Sequence, residues 1–510
     1  MNIVANLPVL VIIIPLISAL LIPPIGRLNR TFSWYVAISA TFLSFLISIS
    51  LLDTVMANGR ISYRLGAWEP PWGIEYVVDY LNSFVLVVVS FIAFIMTVYS
   101  KKSVEKEIER SKIPFFYSVY VLLVTGLLGM IITGDIFNLY VFIEISSLAG
   151  YTLVAMGKKR DALIASYNYL ILGTIAATFI LLGIGYLYMV TGSLNMGDLR
   201  ERLPMLYHSK VVLTAFAFFT VGLSLKLALF PLHIWLPNVY THAPSVVSAV
   251  MAATSTKVGA YVLLRILFSV FTVEFDLHSV PITKILLLLS VLAIIAGSVL
   301  AIAQTNIKRM LAYSSVGQIG YIVLGAALAN QLAMTGSLLH ILNHALMIGA
   351  LFMVVGAIAY KTGIEEISGL KGMGKKMPLT MAAFTVGSLS MIGIPLTVGF
   401  VSKWYLALGA LEAGMWYFIP VILVSSLLTA IYFWRIIESI YFGSAESETG
   451  HADYALVHNP HPVFGNRGDA PLGMLIPTLL LASLCIVFGI AAFIPVSVAT
   501  QAAVMLLGAN

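Results

Sequence analysis

The 510-residue chain contains one cysteine, Cys485. A lone thiol forms neither an internal disulfide nor the cysteine set of an iron–sulfur cluster, so any electron transfer happens in another chain. Charge is also scarce: Asp, Glu, Lys and Arg make up 10% of residues and hydrophobic residues 60%, against roughly 25% and 45–50% in soluble domains. A body so poor in charge cannot be covered by water, which excludes a soluble enzyme. The sequence has no Walker loop, dinucleotide fingerprint, haem attachment motif or HExxH. Transport, if driven, must therefore draw on an ion gradient or a partner subunit.

What is present is apolar sequence in long runs. About 20 apolar residues cross a bilayer, and runs of that length recur from Ile3 to Ile494. Segments such as Phe84 to Tyr99 are apolar on every face, which excludes the alternating pattern of an outer-membrane barrel. Breaks at charged and Gly/Pro-rich positions divide the chain into fourteen spans. The first seven fall at 3–22, 32–52, 80–99, 115–132, 136–156, 162–190 and 211–235. The others fall at 245–273, 285–303, 310–329, 333–360, 381–410, 415–442 and 473–494. The first has no basic leader and reads as a retained anchor.

Seventeen of the 28 Lys and Arg residues sit in loops on one side, among them Lys101, Lys102, Lys158, Lys159 and Lys375. Six sit on the other, and the positive-inside rule then puts both termini outside the cell. This distribution also accounts for the formal charge of +6, so no nucleic-acid partner is expected. Five basic residues remain inside spans: Lys226, Lys257, Arg265, Lys403 and Arg435. Glu144 is the acid well inside a span, with Asp79 and Glu438 near span ends. An ionisable group at membrane depth costs at least ~2.5 kcal/mol, so each is a functional candidate by default.

Lys226 lies five residues before Pro231, and Lys403 eight residues after Pro395. Proline lacks an N–H and crowds the carbonyl four residues back, so the carbonyls of Leu227 and Met391 should be freed in two interrupted helices. Paired interruptions are the sequence pointer to an inverted-repeat transporter with a mid-membrane site. Gly150-Tyr151 recurs as Gly320-Tyr321, a thin second trace of repetition. Glu144 is the natural counter-ion of Lys226, because a carboxylate and an ammonium are tolerable in hydrocarbon only as a pair. Separating or joining such a pair changes how firmly the amine holds its proton, which makes a relay with a control element.

Lys257 falls between the two interrupted helices in sequence order. Arg265 stays protonated and is a poor carrier, and snorkelling toward an interface accounts for it equally well. Arg435 and Glu438, three apart, read as a local helix pair. His340 and His344 share a helix face beside Asn343; with no third ligand in the span, proton carriage is favoured over metal binding. His451, His458, His461 and Asp453 occupy the polar loop 444–470 and read as solvated. Asp79 and Asp135 read as helix caps or surface charges.

The strings GDIFNLYVFIE (Gly134–Glu144), FPLHIWLP (Phe230–Pro237), APSVVSA (Ala243–Ala249), STKVGAYVLLR (Ser255–Arg265), MLAYSSVGQIGY (Met310–Tyr321), HILNHA (His340–Ala345) and GIPLTVGFVSKW (Gly393–Trp404) together carry a specific resemblance. The chain resembles the antiporter-like subunits of Mrp-type cation/proton antiporters, respiratory complex I and membrane-bound hydrogenases from about Phe115 to Phe442. GDIFNLYVFIE, GSLNMGDL and TKVG look closest to the D-type subunit of the Mrp antiporters and its hydrogenase counterpart. The resemblance implies fourteen helices, two inverted five-helix repeats and discontinuous helices seven and twelve. It also implies roles for Glu144, Lys226, Lys257, His340, His344 and Lys403 as the family's translocation residues. Several complex I relatives carry a lysine four residues after the second histidine, where this chain has Ile348. The long amphipathic arm of the largest complex I relative has no counterpart after the last span.

The sequence thus predicts an all-α polytopic protein of the cell membrane. N-terminal helices occupy 1–114, the first repeat 115–273, the second 274–442, and a polar loop with the last helix 443–510. Its expected function is proton translocation through a mid-membrane Lys/His/Glu relay. Its expected partners are the other membrane subunits of an antiporter, hydrogenase or oxidoreductase complex, the lipid bilayer and protons, with sodium as an open second ion. No cofactor or metal is expected, and catalysis is not expected of the chain on its own. An independent solute transporter and a structural scaffold are the alternatives.

Overall fold

The computed structural model describes residues 6–278, 281–443 and 468–508. His451, Asp453, His458 and His461 lie outside the described residues. Thirteen described helices of 18 to 32 residues are long and apolar enough to cross a membrane, and the chain is an all-α polytopic membrane protein. Helices α1 (Leu7–Leu28), α2 (Arg30–Asn58), α3 (Tyr80–Glu107), α4 (Ile113–Ile132), α5 (Ile136–Ala155) and α6 (Arg160–Thr191) are each continuous. The short α7 (Met196–Arg202) leads to a seventh crossing split into α8 (Lys210–Leu227) and α9 (Trp235–His242). The eighth crossing comprises α10 (Ser245–Val250), a π-helical turn (Met251–Ser255), α11 (Thr256–Leu264) and a second π-helical turn (Arg265–Val270), with α12 (Thr272–His278) after it.

Three further crossings follow, α13 (Ile282–Ile302), α14 (Ile307–Leu328) and α15 (Gln331–Thr362). After α16 (Met373–Lys376), the twelfth crossing is split into α17 (Pro378–Ile392) and α18 (Val398–Glu412), and α19 (Phe418–Phe442) is the thirteenth. The span expected at 473–494 ends earlier: α20 (Leu472–Ile490) is followed by a further apolar helix, α21 (Phe493–Leu507). An antiparallel hairpin, β1 (Ile61–Arg64) and β2 (Glu75–Val78), joins α2 to α3 and marks one end of the bundle.

Helix starts are written in short polar side chains that satisfy the first free N–H groups. Asn29, Asp79, Asp135, Asn195, Asn306 and Asn330 each cap a helix by accepting backbone N–H groups. Layering follows burial. In α15 every residue from Ala333 to Ile358 is buried, whereas Leu20, Leu163, Leu288 and Leu427 are exposed on outer helices, as an apolar solvent permits.

Internal repetition is visible in the backbone. Asp135 bridges Asn195, and Asn306 bridges Glu366, so both partners of the first bridge recur 171 positions later. The flanking bonds match: Ile136 donates to Leu194 and Met196 to Gly134, as Ile307 donates to Glu365 and Ile367 to Thr305. The first bridge opens the fifth crossing and the second the tenth. Odd and even crossings run in opposite directions, so the two bridges lie at opposite ends.

Two side-chain expectations change. Arg265 does not snorkel: it forms a bidentate pair with Asp79, Nη1–Oδ2 2.7 Å and Nη2–Oδ1 2.9 Å, and both side chains are largely buried. Arg435 makes no ion pair with Glu438 among the described residues; it donates to the carbonyls of Ile302 and Gln304 at the end of α13. Its fork finds two backbone oxygens left free by the helix terminus, a better geometry than one carboxylate three residues away.

Candidate functional site

Lys226 is the penultimate residue of α8. The chain leaves the helix at Ala228, which is left-handed (φ 61°), and the indole of Trp235 donates to the carbonyl of Leu225 at 2.8 Å. The carbonyl taken by a side chain is therefore that of Leu225, because the break begins before Pro231 is reached. Lys226 Nζ donates to Ser147 Oγ at 2.6 Å and lies 6.0 Å from the ring centre of Tyr151. Ser147 and Tyr151 follow Glu144 by one and two turns of α5. Lys226 and Glu144 are not in ion-pair contact, and Glu144 Oε1 is buried with no hydrogen-bond partner among the described residues.

Lys257 is fully buried at the start of α11. Its ammonium donates to the carbonyl of Ala252, inside the π-helical turn just before it, and to Thr256 Oγ1 at 3.3 Å. A π turn shifts the backbone bonds out of the α register, which leaves a carbonyl for the lysine. Gly259, two residues on, lets α11 close on the end of α8: a Cβ there would stand 3.3 Å from the Cα of Leu227, next to Lys226.

His340 and His344 are buried on α15 with ring centres 6.0 Å apart. His340 Nε2 meets Gln318 Oε1 and Nδ1 meets Ser402 Oγ, each at 2.9 Å. The glutamine oxygen accepts from Nε2–H, and the Ser402 hydroxyl lies between Nδ1 and the carbonyl of Gly399, 3.4 Å away. Neither ring nitrogen of His344 has a partner among the described residues. Asn343 instead donates to the carbonyl of Val398 at 2.6 Å and ties the start of α18 to α15.

Lys403 follows Ser402 on α18. Its ammonium lies 3.1 Å from the carbonyl of Met391, 2.9 Å from that of Ile392 and 3.0 Å from Ser426 Oγ. The carbonyl that Pro395 was expected to free is thus the one this lysine takes. Gly393 (φ 90°) ends α17 and turns the chain back, so the lysine folds onto the break instead of lying a straight helix length beyond it. The Tyr321 ring centre is 5.1 Å from Lys403 Nζ and 5.4 Å from the His340 ring. Among the described residues, all partners of Lys403 are uncharged.

These contacts link Lys403, Tyr321, Ser402, His340 and His344 in one run, with Lys257 and the end of α8 beyond it. Ser147, Gln318, Ser402, Ser426 and Gly393 were not singled out from sequence. A hint existed for the two tyrosines alone, since the repeated Gly-Tyr pairs set a ring beside each interrupted-helix lysine.

Residues 133–429 match the family described as NADH:quinone oxidoreductase/Mrp antiporter, transmembrane region. The chain belongs to this family. It is 46% identical to NADH-quinone oxidoreductase subunit N of Desulforudis audaxviator, over 95% of this chain and 96% of the relative. It is 31% identical to the D-type subunit of the Na(+)/H(+) antiporter of Bacillus subtilis, over 95% and 94%. Among solved structures, a chain of an archaeal membrane-bound sulfane sulfur reductase is matched with a TM-score of 0.88 at 31% identity, covering 98% of both chains. The fold also matches the Mrp complex from Dietzia sp., with a TM-score of 0.88 at 24% identity over 99% and 98%. The residues matched to the family run from the start of the fifth crossing into the thirteenth.

Proposed function

We propose that the chain is the proton-translocating membrane subunit of a multisubunit complex of the cytoplasmic membrane, with other membrane subunits as its partners and both termini extracytoplasmic. Lys226, Lys257, His344, His340 and Lys403 form the transfer line, and Glu144 governs the charge of Lys226. Two units of opposite orientation, 115–273 and 274–442, each supply one interrupted helix and its lysine.

The observation that carries this reading is His344, whose two buried ring nitrogens lack protein partners between the lysines at either side. Buried polar atoms are rarely left unpaired, which supports a hydrated site around this imidazole. A hydrated imidazole between amines is what a mid-membrane proton path requires. Uncharged partners leave the Lys403 amine free to exist with or without its proton. Ser147 holds Lys226 against the helix that carries Glu144, whose Oε1 is unpaired among the described residues, so movement of either side chain would make or break an ion pair.

The higher identity to an oxidoreductase subunit than to the B. subtilis antiporter subunit, together with the sulfane sulfur reductase likeness, supports a redox-driven complex in which this chain is non-catalytic. Sodium/proton exchange is the second reading, supported by the Na(+)/H(+) antiporter relatives. The test is proton uptake by inverted membrane vesicles carrying the complex with Lys226→Ala or Glu144→Ala. Both variants are expected to assemble and to lose translocation; normal uptake in both overturns the assignment.

A further inference from the structure

A cavity of about 280 Å³ opens at the hairpin end of the bundle, two turns beyond Lys257 along the eighth crossing. Its walls come from β2 and the start of α3, the link between α4 and α5, α7, the second π-helical turn, and Met505 of α21. The charged groups that line it are Arg60, Arg200, Arg265 and Asp79. Three guanidiniums against one carboxylate leave an excess of two positive charges.

The carboxylates nearby are engaged elsewhere. Asp79 accepts both Arg265 nitrogens and the backbone N–H of Asn82. Glu75 accepts from Ser62 and from Asn195 Nδ2, and reaches Arg60 only at 3.8 Å. Asp198, on the same helix as Arg200, takes Arg202 instead. Arg200 has no ion pair among the described residues. Arg265 is thus neutralised in place, Arg60 is held only by the 3.8 Å contact to Glu75, and Arg200 lines the hollow without an ion pair among the described residues.

We propose that this cavity binds a phosphate-class oxyanion, gripped by Arg60 and Arg200, with the Arg265–Asp79 pair forming its inner wall. The guanidinium fork matches phosphate and carboxylate oxygens alike. Two separate forks favour the tetrahedral group, which offers three or four acceptor oxygens where a carboxylate offers two. The volume admits it, since a tetrahedral oxyanion displaces roughly two or three waters of about 30 Å³ each. The group can come from free phosphate or from the headgroup of an anionic lipid at the membrane surface. This site does not depend on the proton-transfer reading.

The test uses the purified complex and two probes. Radiolabelled inorganic phosphate is followed by equilibrium binding, and phosphatidylglycerol retained through detergent exchange is counted by native mass spectrometry. In the Arg60→Gln/Arg200→Gln variant, binding of one probe should fall at least tenfold, while Arg110→Gln at the opposite end changes neither. Both replaced side chains are exposed, so the fold is retained. A loss confined to phosphate identifies a free oxyanion, and a loss confined to lipid identifies a headgroup. Equal binding by wild type and double variant, or no binding of either probe by wild type, overturns the proposal.

Discussion

Lys403 Nζ lies 3.1 Å from the carbonyl oxygen of Met391, twelve residues earlier in the chain. The proline that interrupts the helix and the lysine that follows are therefore one device. The break exposes backbone oxygens, and those oxygens hold an ammonium that no carboxylate among the described residues neutralises. Lys403→Ala should lower translocation at least tenfold in the vesicle assay. Lys403→Arg should fail to restore it, because a guanidinium keeps its proton at every accessible pH. Full activity in the arginine variant would show that fixed charge alone suffices.

The two histidines should separate function from stability. His344→Leu removes two unpartnered buried nitrogens and should abolish translocation with little change in the melting temperature of the purified complex. His340→Leu leaves Gln318 Oε1 without that partner, while Ser402 keeps the carbonyl of Gly399, and should also destabilise by about 1–3 kcal/mol. Equal melting losses in both variants would contradict this division.

Gly393 is left-handed, and a Cβ there would sit 3.1 Å from Cδ of Lys403. Gly393→Ala should cost about 1–2 kcal/mol from the backbone alone and push the lysine off its carbonyls. The check is paired measurement of thermal stability and proton uptake, with uptake expected to fall further than stability explains.

Breaking the Asp79–Arg265 pair strands a buried charge. Asp79→Ala should destabilise by about 3–5 kcal/mol, seen as a loss of assembled complex. Replacing both residues together with apolar side chains should recover most of the yield, and no recovery would mean that the cap on α3 matters more than the charge.

Glu365 lies between helices, 2.7 Å from Lys159 and 3.8 Å from Lys308. Burial pushes its carboxyl up, but Lys308 and Lys159 together pull it below its ordinary value. A depressed carboxyl stabilises the fold above its unfolded pKa, and the contribution is lost as pH falls through the lower folded value. Glu365→Gln should therefore lower the melting temperature near pH 7, by the equivalent of about 1 kcal/mol or less. The difference from wild type should begin to shrink as pH falls below about 4.3 and vanish once pH lies below the lowered folded value.

Much of the architecture was legible because lipid imposes a strict rule. Spans must be apolar and about 20 residues long, so the fourteen crossings could be read from runs, and the costly exceptions from residue type. The second apolar helix of the C-terminal region, α21, was missed because Ala491 and Ala492 continue the apolar run across the break. The hairpin was missed because strands of four residues carry too short an alternation.

Sequence by itself determined which amines and imidazoles are stranded in the bundle and where proline would interrupt a helix, since both follow from the cost of polar groups away from water. Tertiary structure alone decided their partners. Ser147 rather than Glu144 holds Lys226, Asp79 meets Arg265 across 186 positions, and Gln318 orients His340. Hydrogen bonds form between groups brought within about 3 Å by packing, and one-dimensional spacing carries no record of that distance.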